Sequence, residues 1–342
     1  MSELAAPPIA APGLVVRLLT VVARQRELSL VVVMLVLGAF VAVQAPQFLS
    51  VSNLTQVTVL ASIIGIAAVG ESLVILTRNV DLSVESVIGL VAFVVADILA
   101  NQVLPVPAAM AFGIGLGLVL GMINGVVVGI FRVPSIVATL GTLSVYRGFA
   151  FLLAGGKQVT LTDLPAGYAD AVRATLFGVI PLFPVIALVI VTFAAIILRQ
   201  TRFGRSVYAV GSNPEAAEIL GIRARVVTFI VFAACGLLAG VAGVLWGIFF
   251  GTINATAATG VTLQVIAAVV VGGVNIFGGS GTVVGAGLGA LFLGFLSNAL
   301  ILLRLSQFWL QAIYGLVILL AVALDAALLR RVQRSTARTR SR

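Results

Sequence analysis

The chain has 342 residues, 61% of them hydrophobic and only 9% charged, with a mean hydropathy of +1.24. So few charges cannot cover a soluble domain of this size, so the bilayer must be its solvent. A net charge of +9, no histidine and a single cysteine (Cys235, in an apolar run) exclude a disulfide framework and leave no metal site to expect. The charge does not indicate nucleic acid either, because the cations gather at the ends of apolar runs and in the C-terminal tail.

Taken in chain order, residues 1–27 hold Pro7, Pro8 and Pro12, show no signal-peptide pattern, and are expected to form a cytoplasmic tail. A transmembrane domain then covers 28–328, and the chain closes on a basic cytoplasmic tail at 329–342. The apolar runs lack strand-like alternation, so they predict an all-α integral membrane protein. Ten spans are expected: 28–45, 57–77, 83–101, 106–130, 134–154, 179–198, 226–251, 262–277, 281–303 and 308–328. The eighth is short and glycine-rich, which suggests a broken or re-entrant segment. With both termini inside, the inner segments collect Arg17, Arg24, Arg26, Arg78, Arg132, the arginines of 199–225 and those of the tail. The outer face keeps only Lys157, Arg173 and Arg304, the asymmetry that the positive-inside rule demands. The loop 155–178 falls outside, with its charges near balance, and is long enough for a small external structure.

Gly113, Gly117, Gly121, Gly125 and Gly129 recur every fourth residue, as do Gly243, Gly247 and Gly251, and Gly281, Gly285 and Gly289. This spacing makes smooth helix faces that let backbones approach. Packing alone accounts for it; a face that slides during gating is the other reading. The ladders at 113–129 and 281–289 would cross in opposite directions, which fits an inverted internal repeat of spans two to five against seven to ten.

Ionisable residues at membrane depth are functional candidates by default. The densest cluster runs through Arg78, Asn79, Asp81, Ser83 and Glu85, with Glu71 two turns earlier. Asp81 and Ser83 suit a helix N-cap, and Asp81 is close enough in sequence to pair with Arg78, so a cap with a local ion pair competes with a gate at the cytoplasmic mouth. Asp97 lies near the outer end of its span. Arg147, beside Tyr146, is placed either to hydrogen-bond a hydroxylated solute or to snorkel or pair with an acid. The stretch VGGVNIFGGSGTVVGAG (271–287, with Asn275) lacks the lysine and hydroxyl of a P-loop, and AGGKQ around Lys157 lacks the right glycine spacing. The chain is therefore expected to bind no nucleotide. Between 199 and 225 a polar, arginine-rich hairpin interrupts the apolar pattern. Ser212 or Asn213 caps a two-turn helix starting at Pro214, Glu215 complements its dipole, and Gly221 ends it. Such a hairpin is suited to docking a soluble partner.

Four segments carry a family resemblance over about 28–328. GRSVYAVGS followed by NPEAAEILGI (204–222) resembles the cytoplasmic coupling loop of membrane subunits of bacterial ABC importers, nearest to the ribose, xylose, rhamnose and autoinducer-type sugar permeases. LTRNVDLSVESVIGL (76–90) is similar to a segment that reads Leu-Thr-Gly-Gly-Ile-Asp-Leu-Ser-Val-Gly-Ser in that family. VPSIVATLGTLSVYRG (133–148) and VVVGGVNIFGGSGTVVGAGLGAL (269–291) match in order and spacing. Arg78 and Asn79 replace the usual glycine pair, closer to the rhamnose or autoinducer branch, and Glu85 stands where glycine is usual. The resemblance implies a permease subunit in the bacterial inner membrane that does no covalent chemistry. Its partners would be a second permease subunit, identical or paralogous, an external substrate-binding protein, and two ATPase subunits that carry ATP and Mg. The ATPases would dock around Arg205, Gly211, Asn213, Pro214, Glu215, Ala216, Ala217 and Gly221. The competing readings are a permease of the same type for a nucleoside or branched-chain amino acid, a gradient-driven transporter using Glu71, Asp81 or Asp97, and, least supported, a membrane enzyme.

Overall fold

The computed structural model describes residues 26–171, 174–306, 308–320 and 323. All but the last two residues of the expected N-terminal tail, the whole basic tail at 329–342, and Arg173 lie outside the described residues.

The chain opens with α1 (Arg26–Gln44), α2 (Val51–Leu76), α3 (Val84–Ala100), α4 (Val106–Gly125) and α5 (Ser135–Ala154). The connection that follows holds the single-turn α6 (Ala166–Asp170) and a two-residue antiparallel hairpin of β1 (Thr175–Leu176) with β2 (Ile180–Pro181). Then come α7 (Leu182–Gln200), α8 (Arg202–Ser212), α9 (Pro214–Ile219), α10 (Ala224–Phe250), α11 (Val261–Val271), α12 (Val283–Leu302) and α13 (Phe308–Leu320). Every predicted span thus has a helix at its place. Among the described residues seven are long and apolar enough to cross a membrane: α1, α2, α4 with its π-wound extension to Ile130, α5, α7, α10 and α12. With 11 residues, α11 covers only about 16 Å, half of a ~30 Å hydrocarbon core, so the eighth predicted span is a half-helix preceded by non-helical chain.

The centre is the pair α2 and α10. Each packs on the other; α4 lies along α10, and α12 lies along α2. Glycine decides how closely. A Cβ at Gly121 would sit 2.5 Å from the Phe232 carbonyl and 2.7 Å from Gly236 Cα, and one at Gly117 would sit 2.5 Å from Gly240 Cα. Gly125 meets Phe229 in the same way. The α4 ladder is therefore the contact face toward α10, where dispersion between close backbones replaces the missing hydrophobic drive. The other ladders need correction. Gly285 and Gly289 back onto the Gly272 and Ala268 carbonyls, so this ladder faces α11, not α2. Gly281 precedes α12, with φ +130°, and Gly251 ends α10 with φ +65°, so neither belongs to a helix face. Toward α2 the contacts of α12 come instead from Ala290 and Gly294. α1 and α7 turn Leu35, Val36, Leu188 and Val189 outward, as lipid-facing helices do.

At the end of α10 away from α8, Ile253 pairs with Val159. Tyr168 of α6 is buried there, and its hydroxyl donates to the Val244 carbonyl; burial raises its pKa above the ordinary phenol range. The Asp163 carboxylate accepts from the Thr160 amide (2.8 Å) and hydroxyl (2.7 Å), which holds its pKa below the ordinary value. The loop expected at 155–178 is thus a small ordered structure.

Candidate functional site

Between α2 and α3 the Thr77, Arg78 and Asn79 amides still bond back to the Val74 and Ile75 carbonyls of α2, and residues 80–83 then run on without helical hydrogen bonding, half-buried or buried. In that setting each backbone amide requires a partner, at a cost of several kcal/mol for any left unpaired. Other elements supply them. The Val80 amide donates to Ser135 Oγ (3.2 Å), Asp81 to Glu71 Oε1 (3.0 Å), Leu82 to Thr139 Oγ1 (3.1 Å), and Glu85 to Thr262 Oγ1 (3.2 Å). Thr262 Oγ1 in turn donates to the Leu82 carbonyl (3.2 Å). Asp81, fully enclosed, accepts from the Ser83 amide (2.9 Å) and hydroxyl (2.6 Å), and Asn124 of α4 donates to Asp81 Oδ2 (3.3 Å) and Ser83 Oγ (2.8 Å). Tyr146 closes the network from α5, donating to the Leu120 carbonyl (3.0 Å) and lying 3.4 Å from Asn124 Oδ1. Ser83 occupies the N-cap position of α3, but its hydroxyl turns back to Asp81 and caps nothing. The expected Arg78–Asp81 ion pair does not form: among the described residues the ion pairs are Arg132–Glu218 and Arg147–Glu85.

Arg147 and Glu85 meet deeper. Glu85 Oε2 accepts from the Gly260 amide (2.9 Å) and the Thr262 amide (3.3 Å), so its charge sits on the N-terminus of α11. The sequence places Glu85 at the start of its own helix, and the helix whose dipole it serves is a different one. Arg147 Nη1 donates to the Ala255 (3.0 Å) and Ala257 (2.7 Å) carbonyls, and Nη2 lies 3.7 Å from Glu85 Oε1 with no hydrogen-bond partner. Residues 251–260 are the second non-helical stretch among the helices. There the orphan groups are carbonyls, and the guanidinium satisfies them.

On the side of α8 and α9, three backbones converge. A Cβ on Gly211 would collide with the Leu76 carbonyl and come within 2.6 Å of the Gly279 amide, so only glycine fits. The Gly279 amide donates to the Leu76 carbonyl (3.0 Å), and Tyr208 donates to the Gly281 carbonyl (2.9 Å). Arg78 spans the junction: Nε donates to the Phe277 carbonyl (3.0 Å) and Nη2 to that of Ser212 (2.7 Å). It does so at φ +64°, a conformation that suits glycine and costs an arginine about 1–3 kcal/mol. Asn275 turns the loop, accepting from the Phe277 amide (2.8 Å), and Asn79 bonds its own neighbour Thr77.

The hairpin is more helical than its composition suggests. Thr201 caps α8, and Ser212 is its last residue, so Asn213 alone caps α9, accepting from the Ala216 amide (3.0 Å). Gly221 takes φ +82° just after α9. Of the expected docking residues, Gly211 and Ala217 face inward, Pro214 is half-buried, and Arg205, Asn213, Glu215, Ala216 and Gly221 are exposed. Beside them Ile219 and Leu220, not singled out from sequence, are 87% and 79% exposed. A cleft of about 430 Å³ opens between Arg78, Arg132, Ser135, Pro214 and Glu218. The partners Ser135, Thr139, Asn124 and Thr262 also escaped the sequence reading; their only signal is a small polar residue in an apolar run.

A family model described as the branched-chain amino acid transport system permease component matches residues 53–322. The chain belongs to this family. The autoinducer 2 import system permease protein LsrC of Escherichia coli O9:H4 (strain HS) is 37% identical over 311 residues, 91% of this chain and 90% of that protein. Its counterpart in Salmonella typhi is 38% identical over 321 residues, 94% and 91% of the two chains. No solved structure matches. The permease is a multi-pass inner-membrane transport subunit of an importer.

Proposed function

We propose that this permease imports a small polyhydroxylated solute of the autoinducer 2 type, by alternating access driven by ATP hydrolysis on a separate subunit. The near full-length relation to autoinducer 2 import permeases carries the solute class. The capped hairpin α8–α9, apolar at its tip and backed onto residues 76–78, supports an ATPase docking there. On this reading there are ten spans with both termini cytoplasmic, α2–α5 and α10–α13 are inverted halves, a second permease subunit completes the path, and a binding protein delivers solute to the face that carries α6. The crossed packing, α4 on α10 and α12 on α2, favours the inverted halves. Glu71 and Asp81 each hold a backbone amide, which argues for scaffold carboxyls over proton carriers.

The family description favours one second reading, import of a branched-chain amino acid. Uptake of labelled autoinducer 2 into cells expressing the complete system tests both. Competition by excess sugar analogues, none by leucine, and collapse on ATP depletion support the proposal. Competition by leucine alone supports the second reading, and survival of uptake without ATP sinks both.

A further inference from the structure

After α10 the chain does not turn straight into the next helix. Residues 251–260 come back beside it as extended chain and single turns, and α11 starts only at Val261. The stretch begins at the end of α10, where Ile253 pairs with Val159. It ends at Gly260, whose amide reaches Glu85, one turn of α3 before Ile88; the Ile88 carbonyl lies against Gly243 of α10. Gly260 is thus level with the turn of α10 near Gly240, about 15 Å inside the end of that helix. That is well within the depth of a ~30 Å hydrocarbon core.

Along this stretch exposure alternates. Ile253, Ala255 and Ala258 are buried, while Thr252, Asn254, Thr256 and Thr259 are exposed. The Thr252 hydroxyl and Asn254 Nδ2 have no hydrogen-bond partner among the described residues. Thr256 donates to Asn254 Oδ1 (2.8 Å) and Thr259 to the Thr256 carbonyl (2.7 Å), so both hydroxyls still offer lone pairs. Hydrocarbon does not tolerate irregular backbone with an open polar row, so at this depth the row must face water or protein. The row carries no charge, and the two charges tied to this stretch, Arg147 and Glu85, offset one another. A neutral solute rich in hydroxyl groups matches such a wall, with donors and acceptors side by side; the carboxylate of an amino acid would find no exposed cation on it.

Resting on the import reading above, we propose that Thr252, Asn254, Thr256 and Thr259 line the wet outer half of the transport path and hydrogen-bond the hydroxyl groups of the passing solute.

The test uses the complete transporter, with its ATPase and binding protein, in lipid nanodiscs. Each of the four positions is changed to cysteine in a Cys235→Ala background and labelled with a small water-soluble methanethiosulfonate, without nucleotide and with ATP plus vanadate. Ala255→Cys, on the buried side of the stretch, and Val189→Cys, exposed on α7, are the references. In the faster of the two states the four cysteines are expected to react at least about ten-fold faster than either reference, because a thiol out of water stays protonated and inert. Autoinducer 2 at twice its half-saturating concentration should slow them about three-fold, to the share of free sites that mass action leaves, and leucine should not. Thr252→Val removes only the free hydroxyl and should lower autoinducer 2 uptake about five-fold at limiting solute, the worth of one net hydrogen bond, while Thr252→Ser stays near the parent. Labelling no faster than at Val189→Cys, or rapid only once the permease subunits are separated in detergent, overturns the wet wall and makes the row a lipid or subunit contact. Rapid labelling that autoinducer 2 does not slow, or that leucine alone slows, overturns the contact with a hydroxylated solute. Uptake by the parent reports on the import reading separately: its collapse on ATP depletion keeps that reading whichever way the labelling falls.

Discussion

Replacing Arg147 by leucine removes a charge from the middle of the protein and provides a measure of the buried pair. The side chains of Arg147 and Glu85 are 13% and 14% exposed, and 3.7 Å separates them. At an effective dielectric of ~20 the Coulomb attraction at that distance is about 4 kcal/mol. Arg147→Leu also strips the Ala255 and Ala257 carbonyls of their donor, at about 1–3 kcal/mol for each acceptor left unpaired. These effects overlap, because one guanidinium serves both, so the expected single-variant loss is about 4 kcal/mol, within the range for breaking a buried pair. Glu85→Gly leaves Arg147 its two carbonyls but takes the acceptor from the Gly260 and Thr262 amides, so its loss is expected to be of similar size, about 4 kcal/mol. The double variant removes both charges and is expected to recover about 1–3 kcal/mol relative to the sum, as residues in direct contact do. Unfolding in mixed micelles titrated with denaturing detergent gives the four free energies. A cycle that closes to within a few tenths of a kcal/mol would show that the two charges are independent, and the account of Arg147 and Glu85 as a coupled buried pair would fail.

Four further outcomes are expected. Thr139→Val orphans the Leu82 amide and should cost about 1–3 kcal/mol in the same assay, while Thr139→Ser keeps the oxygen and stays near the parent. Gly121→Leu forces α4 off α10 and should abolish accumulation of folded protein in the membrane, read by a fluorescent fusion, whereas Gly115→Leu, with nothing within 4 Å, should not. Ile219→Asp with Leu220→Asp should abolish co-purification of an ATPase without lowering the melting temperature, because both side chains face outward. The Asp163 pKa is lowered on folding, so its contribution to the external loop is full above the unfolded value of 3.8 and is lost as pH falls through the lower folded value. Proteolysis at 160–170 by an acid-active protease should accelerate across that window, and Asp163→Asn should remove the pH dependence.

Helix placement was legible because twenty apolar residues in lipid have only one inexpensive conformation. The α9 cap was legible because Asn-Pro-Glu is local chemistry, closed within three residues. What escaped was long-range. Nothing in 77–85 says that Glu85 will serve the amides of residues 260 and 262, or that Arg78 will pass over Asp81 for the carbonyls of 212 and 277. The identity of a carboxylate is visible in sequence, but the helix terminus it will neutralise depends on packing. The glycine ladders were legible only in part for the same reason: spacing shows that a face is smooth and not which backbone lies against it.

The two non-helical stretches constrain how the permease can move. In 80–82 the amides are held by Ser135, Glu71 and Thr139; in 251–260 two carbonyls are held by Arg147. All four partners belong to α5 or α2, outside the stretches they serve. A motion that separated a stretch from its partners in a dry interior would cost several kcal/mol for each orphaned group, far more than a two-state switch separated by a few kcal/mol can absorb. Motion must therefore either carry stretch and partners together or admit water where they part. The first applies around Asp81, which is fully enclosed and bonded to Ser83 and Asn124. The second applies at Arg147, whose Nη2 faces Glu85 at 3.7 Å without a hydrogen bond.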